Sequence, residues 1–379
     1  MKSSVMGRKL YACIIIFALL FLPVMIFSCA PSAAPSEGEK TAPEETTKEP
    51  TEEKDDLESM KPINLSFAHF WAAEHDNTKL VLDAWMDAVS EATNQKITFT
   101  KYPGGTLLGQ NETYEGVVNG VADVGASFFS YTRGRFPVLE AFELPGFMWD
   151  SAELGSRVSW EGIQRLQEQG MLKEVEDTKL MFVYSPGPQN IMTGSRPIKS
   201  LEDLQGMEIR ATGLCAQVLE ALGAVPVAMG MNETYEALSK GVVQGTMGPN
   251  NTLEGWKLGE VCKYVTESTF LYNSVIFVTM NLDVWNSLPE SVQAIIEEVN
   301  AEIFEGPATE AYDMQNDRGL KWAIDECGIE VITLSEDEVE RWISKVIPLQ
   351  DEYVSRMEAQ GLPGREVLDL IEELVDKYR

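Results

Sequence analysis

From Ile63 onward, short apolar runs of period two alternate with longer stretches in which apolar residues recur every three or four positions. INLSFAHFW reads as a strand, and TKLVLDAWMDAVSEAT follows with Leu80, Leu82, Trp85, Met86 and Val89 at helical spacing. KITFTKYP is a second strand, and TYEGVVNGVADVGAS a helix feeding a third. LMFVYSPGP is an apolar strand stopped by Pro and Gly. IMTGSRPIKSLEDLQGMEIRATG holds two more strands around a turn capped by Ser200, with Asp203 three positions later. Helix LCAQVLEALGA, strand VPVAMG, helix NETYEALSKG and strand VVQGTMGP continue the alternation. This succession predicts an α/β fold with parallel sheets covered by helices.

TFLYNSVIFVTM is a β-rich run long enough to cross between two lobes. The stretch from Ser287 to Gly328 reads as a long helix opened by Ser287 and Pro289. Gly306-Pro307 lies inside it and predicts a kink or break, because proline removes a helix hydrogen bond. A strand IEVITL and acidic helices complete the chain, and no repeat of 20 to 50 residues is evident.

The first residues have another character. Lys2, Arg8 and Lys9 precede an apolar run from Leu10 to Phe27, which reads as an export signal. Ile26-Phe27-Ser28-Cys29 resembles a bacterial lipobox, which makes residues 1–29 a lipoprotein signal peptide and Cys29 the lipidated residue. An uncleaved anchor helix is the alternative, and both place the domain outside the cytoplasm. Residues 30–62 are rich in Pro, Ser, Thr and acids. Such a segment buries too little apolar surface to offset its ordering entropy and reads as a disordered acidic tether.

Charge narrows the function. The 379 residues carry 30 Lys plus Arg against 60 Asp plus Glu, a formal net charge of −30. That field repels polyanions, so nucleic acid is excluded as a partner. It also makes any lone arginine that captures an anion work against its own protein. Of five cysteines, Cys215, Cys262 and Cys327 lie beyond the lipobox, and their spacing is neither a metal site nor a disulfide framework. They read as free thiols, with one pair left open.

Catalytic motifs are missing: there is no GxSxG, HExxH or GxxxxGK[ST]. The only histidines, His69 and His75, are six residues apart, a spacing that guarantees no common metal. No cofactor is implied. Ring-bearing residues are more informative. His69, Phe70 and Trp71 fall where the first strand ends, and Phe128 and Phe129 follow ADVGAS in an equivalent position. Carboxyl ends of strands open on the binding crevice in open α/β sheets, although core packing serves each ring equally well. Arg210 closes the strand GMEIR just before Thr212. It is either a surface charge paired with Glu208 or Glu233, or a planar two-pronged donor aimed at a carboxylate.

The ordered pieces YPGGTLLGQNETYEGVVNGVADVG, FPVLEAFELPGF, SRPIKSLEDLQGMEIRATG, ALGAVPVAMGMNETYEALSKGVVQGTMGP and VWNSLPESVQAIIEE resemble the solute-binding proteins of TRAP (tripartite ATP-independent periplasmic) transporters, the DctP family. The resemblance runs from about Ile63 to the C-terminus. It implies a periplasmic-binding-protein-like clamp of two α/β lobes with hinge strands and a long helix spanning both. It also implies delivery of an organic acid to membrane permease subunits, with no enzymatic step. The family's substrate-binding arginine falls at Arg210. Asn190 stands where some members have a second arginine, Met231 where an aromatic often stacks, and Gly248 where an asparagine is common, with Asn250 and Asn251 nearby; Asn273 matches.

The expected architecture is lobe 1 from 63–187 plus about 276–316, and lobe 2 from 188–275 plus about 317–379. The expected binding residues are His69, Phe70, Trp71, Phe128, Phe129, Asn190, Arg210, Thr212, Met231, Asn250 and Asn273, around an acid that is as well a monocarboxylate or an aromatic or branched acid as a dicarboxylate. The alternative function is ligand sensing for a membrane receptor. A secreted hydrolase is disfavoured, for want of a nucleophile with an available histidine.

Overall fold

In the computed structural model, which describes residues 57–379, the alternating strands and helices build two mixed sheets. The export signal, the lipidation of Cys29 and the tether up to residue 56 lie outside the described residues. In chain order the elements are β1 (Ile63–His69), a π-helical stretch Thr78–Asp83 running into α1 (Ala84–Ala92), β2 (Ile97–Tyr102), α2 (Thr113–Val118), β3 (Val124–Phe128), α3 (Ala152–Glu168) and β4 (Thr178–Tyr184). There follow β5 (Asn190–Thr193), α4 (Leu201–Leu204), β6 (Glu208–Ala211), α5 (Cys215–Ala221), β7 (Val225–Ala228), α6 (Met231–Ser239), β8 (Gly245–Gly248), α7 (Asn251–Gly255) and β9 (Tyr264–Thr266). The chain ends with β10 (Ile276–Asn281), α8 (Leu282–Ser287), α9 (Glu290–Ile303), a π-helical turn Phe304–Ala308, α10 (Thr309–Cys327), β11 (Glu330–Ile332), α11 (Glu336–Val346), α12 (Pro348–Ala359) and α13 (Arg365–Tyr378).

The first sheet has the order β2-β1-β3-β10-β4 and the second β11-β9-β5-β8-β6-β7. The sheets are not purely parallel, as the strand–helix alternation alone implied. β10 runs antiparallel to β3 and β4, and β5 antiparallel to β8 and β9. The reason is the crossings. β4 ends at Tyr184 on the edge where β1 and β3 also end, and residues 185–189 carry the chain to the second sheet. Asn190, the first residue of β5, pairs with Gly248, the last of β8, so β5 enters where β8 leaves and must run the other way. Residues 267–275 return the chain, and Ile276 enters β10 opposite Phe128 and Tyr184. Both crossings therefore join the carboxyl edge of one sheet to the carboxyl edge of the other.

A third connection is helical. α9 packs on α1 beside the first sheet, whereas α10 packs on α7 of the second and on α3. The interruption expected at Gly306-Pro307 takes the form of the π-helical turn, which absorbs the missing proline donor so that the helix continues. The C-terminal helices join the two halves as well: α11 packs on α4 and α5, and α13 on α3. At the other end, Leu57 and Met60 pack against the first core, and Lys96 Nζ donates to the carbonyls of Glu58 (2.9 Å) and Met60 (2.8 Å). Residues 57–60, which fall within the segment read as tether, thus pack on the domain. Ser200 and Asp203 form the capping box their spacing indicates.

In the first core, Trp85 is fully buried and its indole N–H donates to Asn300 Oδ1 at 2.7 Å, pinning α1 to α9. Asn300→Ala removes that acceptor and strands a buried donor, a loss of about 1–3 kcal/mol. The expected outcome is a lower urea midpoint with an unchanged slope. Trp85→Phe combined with Asn300→Ala should cost less than the sum of the two single changes.

Candidate functional site

The two carboxyl edges face each other across a narrow cleft with about 50 Å3 of free space, lined by both sheets. Strand geometry decides which side chains reach it. Phe70 and Trp71 follow β1, Phe128 ends β3, and Tyr131 closes the 3-10 turn Phe129–Tyr131. Their rings form one cluster. Phe70 and Trp71 lie 4.0 Å apart by centroids, Phe70 and Tyr131 meet edge to face at 5.4 Å, and so do Phe128 and Tyr131. From the second sheet's side, Trp256 stacks on Phe70 at 6.2 Å, and α10 contributes the buried Tyr312.

Arg210 is the one cation lining this cleft among the described residues, and no Asp or Glu lines it. It sits on β6 next to the carboxyl end and is only 4% exposed. The pairing with Glu208 or Glu233 that a surface arginine would make is not found; among the described residues Arg210 has no ion pair. Its Nε donates to the Met229 carbonyl at 3.1 Å, and one Nη donates weakly to the Tyr131 hydroxyl at 3.4 Å. Of the five N–H donors of a guanidinium, the others have no protein acceptor among the described residues. A buried charge left in this state is unfavourable unless an anion completes it.

The structure brings together Phe70, Trp71, Phe128, Arg210, Thr212 and Met231, and leaves five expected residues out of the lining. His69 and Phe129 are each one residue out of phase. His69 shares a strand face with Phe67 (5.9 Å), and Phe129 packs into the core against Phe136 (4.7 Å) and Phe277 (5.0 Å). The three asparagines are consumed by the crossings. Asn190 donates to Asn250 Oδ1 at 3.0 Å and accepts from the Ser268 N–H at 2.9 Å. Asn273 accepts from Ser185 Oγ at 2.6 Å and donates to the Phe142 carbonyl at 3.1 Å. The Asn190–Ser268 and Ser185–Asn273 bonds tie segment 185–190 to segment 267–275.

Tyr131, Gln189, Asn251, Trp256, Tyr272, Ser274 and Tyr312 line the cleft without having been singled out as binding residues. The run FFSY could have flagged Tyr131. No local signal points to Trp256 or Tyr312, which reach the cleft only through the packing of α7 and α10.

The titratable groups nearby are held neutral. Burial lowers His69 and His75 to a pKa of about 4. It pushes the Cys215 thiol, which lines the cleft, up to about 12, so that no thiolate is available as a nucleophile. All three cysteines beyond the lipobox are free. Glu143 lies directly behind the wall. Burial raises it to about 8, against the lowering effect of hydrogen bonds from Tyr272 (2.8 Å) and Ser130, two residues that line the cleft. Among the described residues, no group of three His, Cys, Asp or Glu side chains could hold a metal ion.

The profile of DctP, bacterial extracellular solute-binding protein family 7, matches residues 67–356. The C4-dicarboxylate-binding periplasmic protein DctP of Rhodobacter capsulatus is 28% identical over 308 residues, 80% of this chain and 90% of that protein. A TRAP periplasmic solute-binding protein from Desulfovibrio salexigens, in an open complex, superposes with a TM-score of 0.73 at 35% identity, covering 84% of this chain and 97% of the other. A TRAP solute-binding protein from Rhodoferax ferrireducens in complex with copurified benzoate gives 0.76 at 27% identity, covering 83% and 98%.

Glu143 gives a pH signature. Its folded pKa of about 8 exceeds its ordinary value of 4.5, so the stabilisation it provides is complete below pH 4.5 and is lost as pH rises through about 8. Glu143→Gln stays neutral throughout. In urea titrations at pH 5 and pH 8.5, the variant should gain on the parent at the higher pH, by about 1.4 kcal/mol for each pKa unit of the raise. Contributions of Glu174 and the histidines are common to both proteins and cancel.

Proposed function

The chain belongs to bacterial extracellular solute-binding protein family 7, the organic-acid-binding component of TRAP transporters, and we propose that its cleft takes a ring-bearing monocarboxylate. The observation that carries this reading is Arg210, a buried guanidinium with free donors inside an aromatic wall that holds no second cation. One guanidinium pairs two-pronged with one carboxylate. A dicarboxylate would leave its second charge against apolar rings, at a heavy desolvation cost. The benzoate found in the Rhodoferax ferrireducens protein fits this class, whereas the name of the Rhodobacter capsulatus protein shows that the family also takes C4-dicarboxylates.

The proposed mechanism is capture and release. The carboxylate enters between the two edges and pairs with Arg210, and the rings of Phe70, Trp71 and Phe128 cover the apolar body. The ligand-bound form then docks on the membrane permease. No bond is made or broken, in keeping with a cleft whose one lining thiol, Cys215, is held protonated by burial. Export with lipid attachment at Cys29 belongs to the same reading, supported by the Ile26-Phe27-Ser28-Cys29 sequence.

Calorimetric titration of the purified protein with benzoate and succinate tests the ligand class. Benzoate is expected to bind and succinate to bind at least tenfold more weakly. Arg210→Ala should lose about a hundredfold or more in benzoate affinity, since two charge-assisted hydrogen bonds vanish at about 1.5–3 kcal/mol each. Equal affinity in parent and variant would refute the clamp, and tighter binding of succinate would refute the monocarboxylate. For the anchor, cells fed radioactive palmitate should label the parent and not Cys29→Ser; an unlabelled parent would mean an anchor helix instead.

A further inference from the structure

Several polar side chains that line the cleft are engaged by the protein itself. Thr252 Oγ1 donates to the Pro249 carbonyl at 2.6 Å, Tyr272 donates to Glu143, and Gln189 Nε2 donates to the Gly187 carbonyl and to Ser274 Oγ. Among the lining residues, Asn251 is the one with a fully buried polar side-chain atom left unpaired. Its residue is 6% exposed, its Oδ1 is buried without a hydrogen-bond partner, and no protein group among the described residues bonds to its carboxamide.

The backbone of Asn251 is fixed. Its N–H donates to Asn316 Oδ1 at 2.8 Å, and Asn316 Nδ2 donates in turn to the Pro186 carbonyl at 2.8 Å, which ties α7, α10 and the first crossing together. α10 presses so closely that a Cβ on Gly319 would lie 3.0 Å from Asn251 Cα. The carboxamide is therefore held at one place on the cleft wall. Unpaired buried polar groups are few in native structures, and each costs about 1–3 kcal/mol.

We infer that Asn251 is a specificity-determining residue that hydrogen-bonds a hydroxyl group of the ligand, so that the substrate is a hydroxylated ring-bearing monocarboxylate. The inference rests on the monocarboxylate reading of the same cleft. A carboxamide presents an acceptor and two donors, and a hydroxyl can both donate and accept. An ammonium group is a poorer match, because no carboxylate lines the cleft to balance its charge. The two anchors are separate: Arg210 on β6 reaches toward Tyr131, whereas Asn251 opens α7 and is fixed to α10. A site built to bond a hydroxyl rejects the analogue that lacks it, because its own polar group is then left unpaired.

The test is an affinity ratio. Dissociation constants of the purified full chain are measured for benzoate, its three monohydroxy isomers and mandelate, and the best hydroxylated acid is compared with benzoate. The parent should prefer it by about tenfold or more. In Asn251→Leu that ratio should collapse toward one, whereas in Arg210→Ala both acids should weaken together and the ratio persist. Asn251→Ser, a smaller change, guards against misfolding of the leucine variant and should lower the ratio in the same direction. The proposal is overturned if the parent shows no preference, or if either Asn251 variant keeps it while folded. A parent that binds benzoate without preferring a hydroxylated acid sinks only this inference, and a parent that binds none of the acids sinks the monocarboxylate reading with it.

Discussion

Everything in this molecule depends on where the chain changes sheets. Both extended crossings leave one sheet at its carboxyl edge and enter the other at the same kind of edge. That single constraint makes β5 and β10 antiparallel to their neighbours and turns the two carboxyl edges toward each other. It also places the ends of β1, β3 and β6 around a common space. The crossings are cross-linked by Ser185–Asn273, Asn190–Ser268 and Gln189–Ser274, so they act as one paired strap. The polar residues that look most available for a ligand are engaged in that strap.

Electrostatics follow from the same geometry. The protein carries a net charge of −30, yet the cleft wall bears one charge, and that charge is positive. Among the described residues, no carboxylate lines the cleft. The one carboxyl close behind the wall, Glu143, is held protonated near neutral pH by burial, so it does not neutralise Arg210. In a low-dielectric setting such exclusions matter more than any added attraction, because an internal carboxylate would compete with the ligand for the guanidinium. Selecting for an anion here amounts to keeping every other anion away.

Much of this was legible from residue patterns. The alternation of periods located the principal strands near the positions they occupy, and the rule that ligands meet the carboxyl ends of strands picked out Phe70, Trp71, Phe128 and Arg210. It erred by a single residue at His69 and Phe129, since neighbouring positions at a strand end face opposite ways. Family resemblance singled out Asn190 and Asn273 but could not say that their side chains are spent on Asn250, on Ser185 and on the backbone. Trp256 and Tyr312 were illegible for a different reason. They arrive from helices whose helical spacing says only that one face is buried, and which face meets the cleft is decided by how α7 and α10 pack. The antiparallel strands were missed because alternation of strand and helix says nothing about which edge a chain crosses from.

The contacts that span the cleft bear on how a ligand could change its opening. Tyr131, from the first sheet's side, touches Arg210 on the second; Phe70 stacks on Trp256; and Arg318 of α10 pairs with both Asp76 and Glu254. The last pairs are solvent-exposed and contribute little on their own. Tyr131 makes only a long hydrogen bond, and the rings are held by apolar contact alone. A ligand can shift an equilibrium between open and closed only by binding one state better. The carboxylate proposed to pair with Arg210 beneath rings from the opposite sheet would meet that condition, because its charge would be satisfied by one side and its apolar body by the other. Neither half alone offers both, so the free energy of binding is available in full only when the two edges are together.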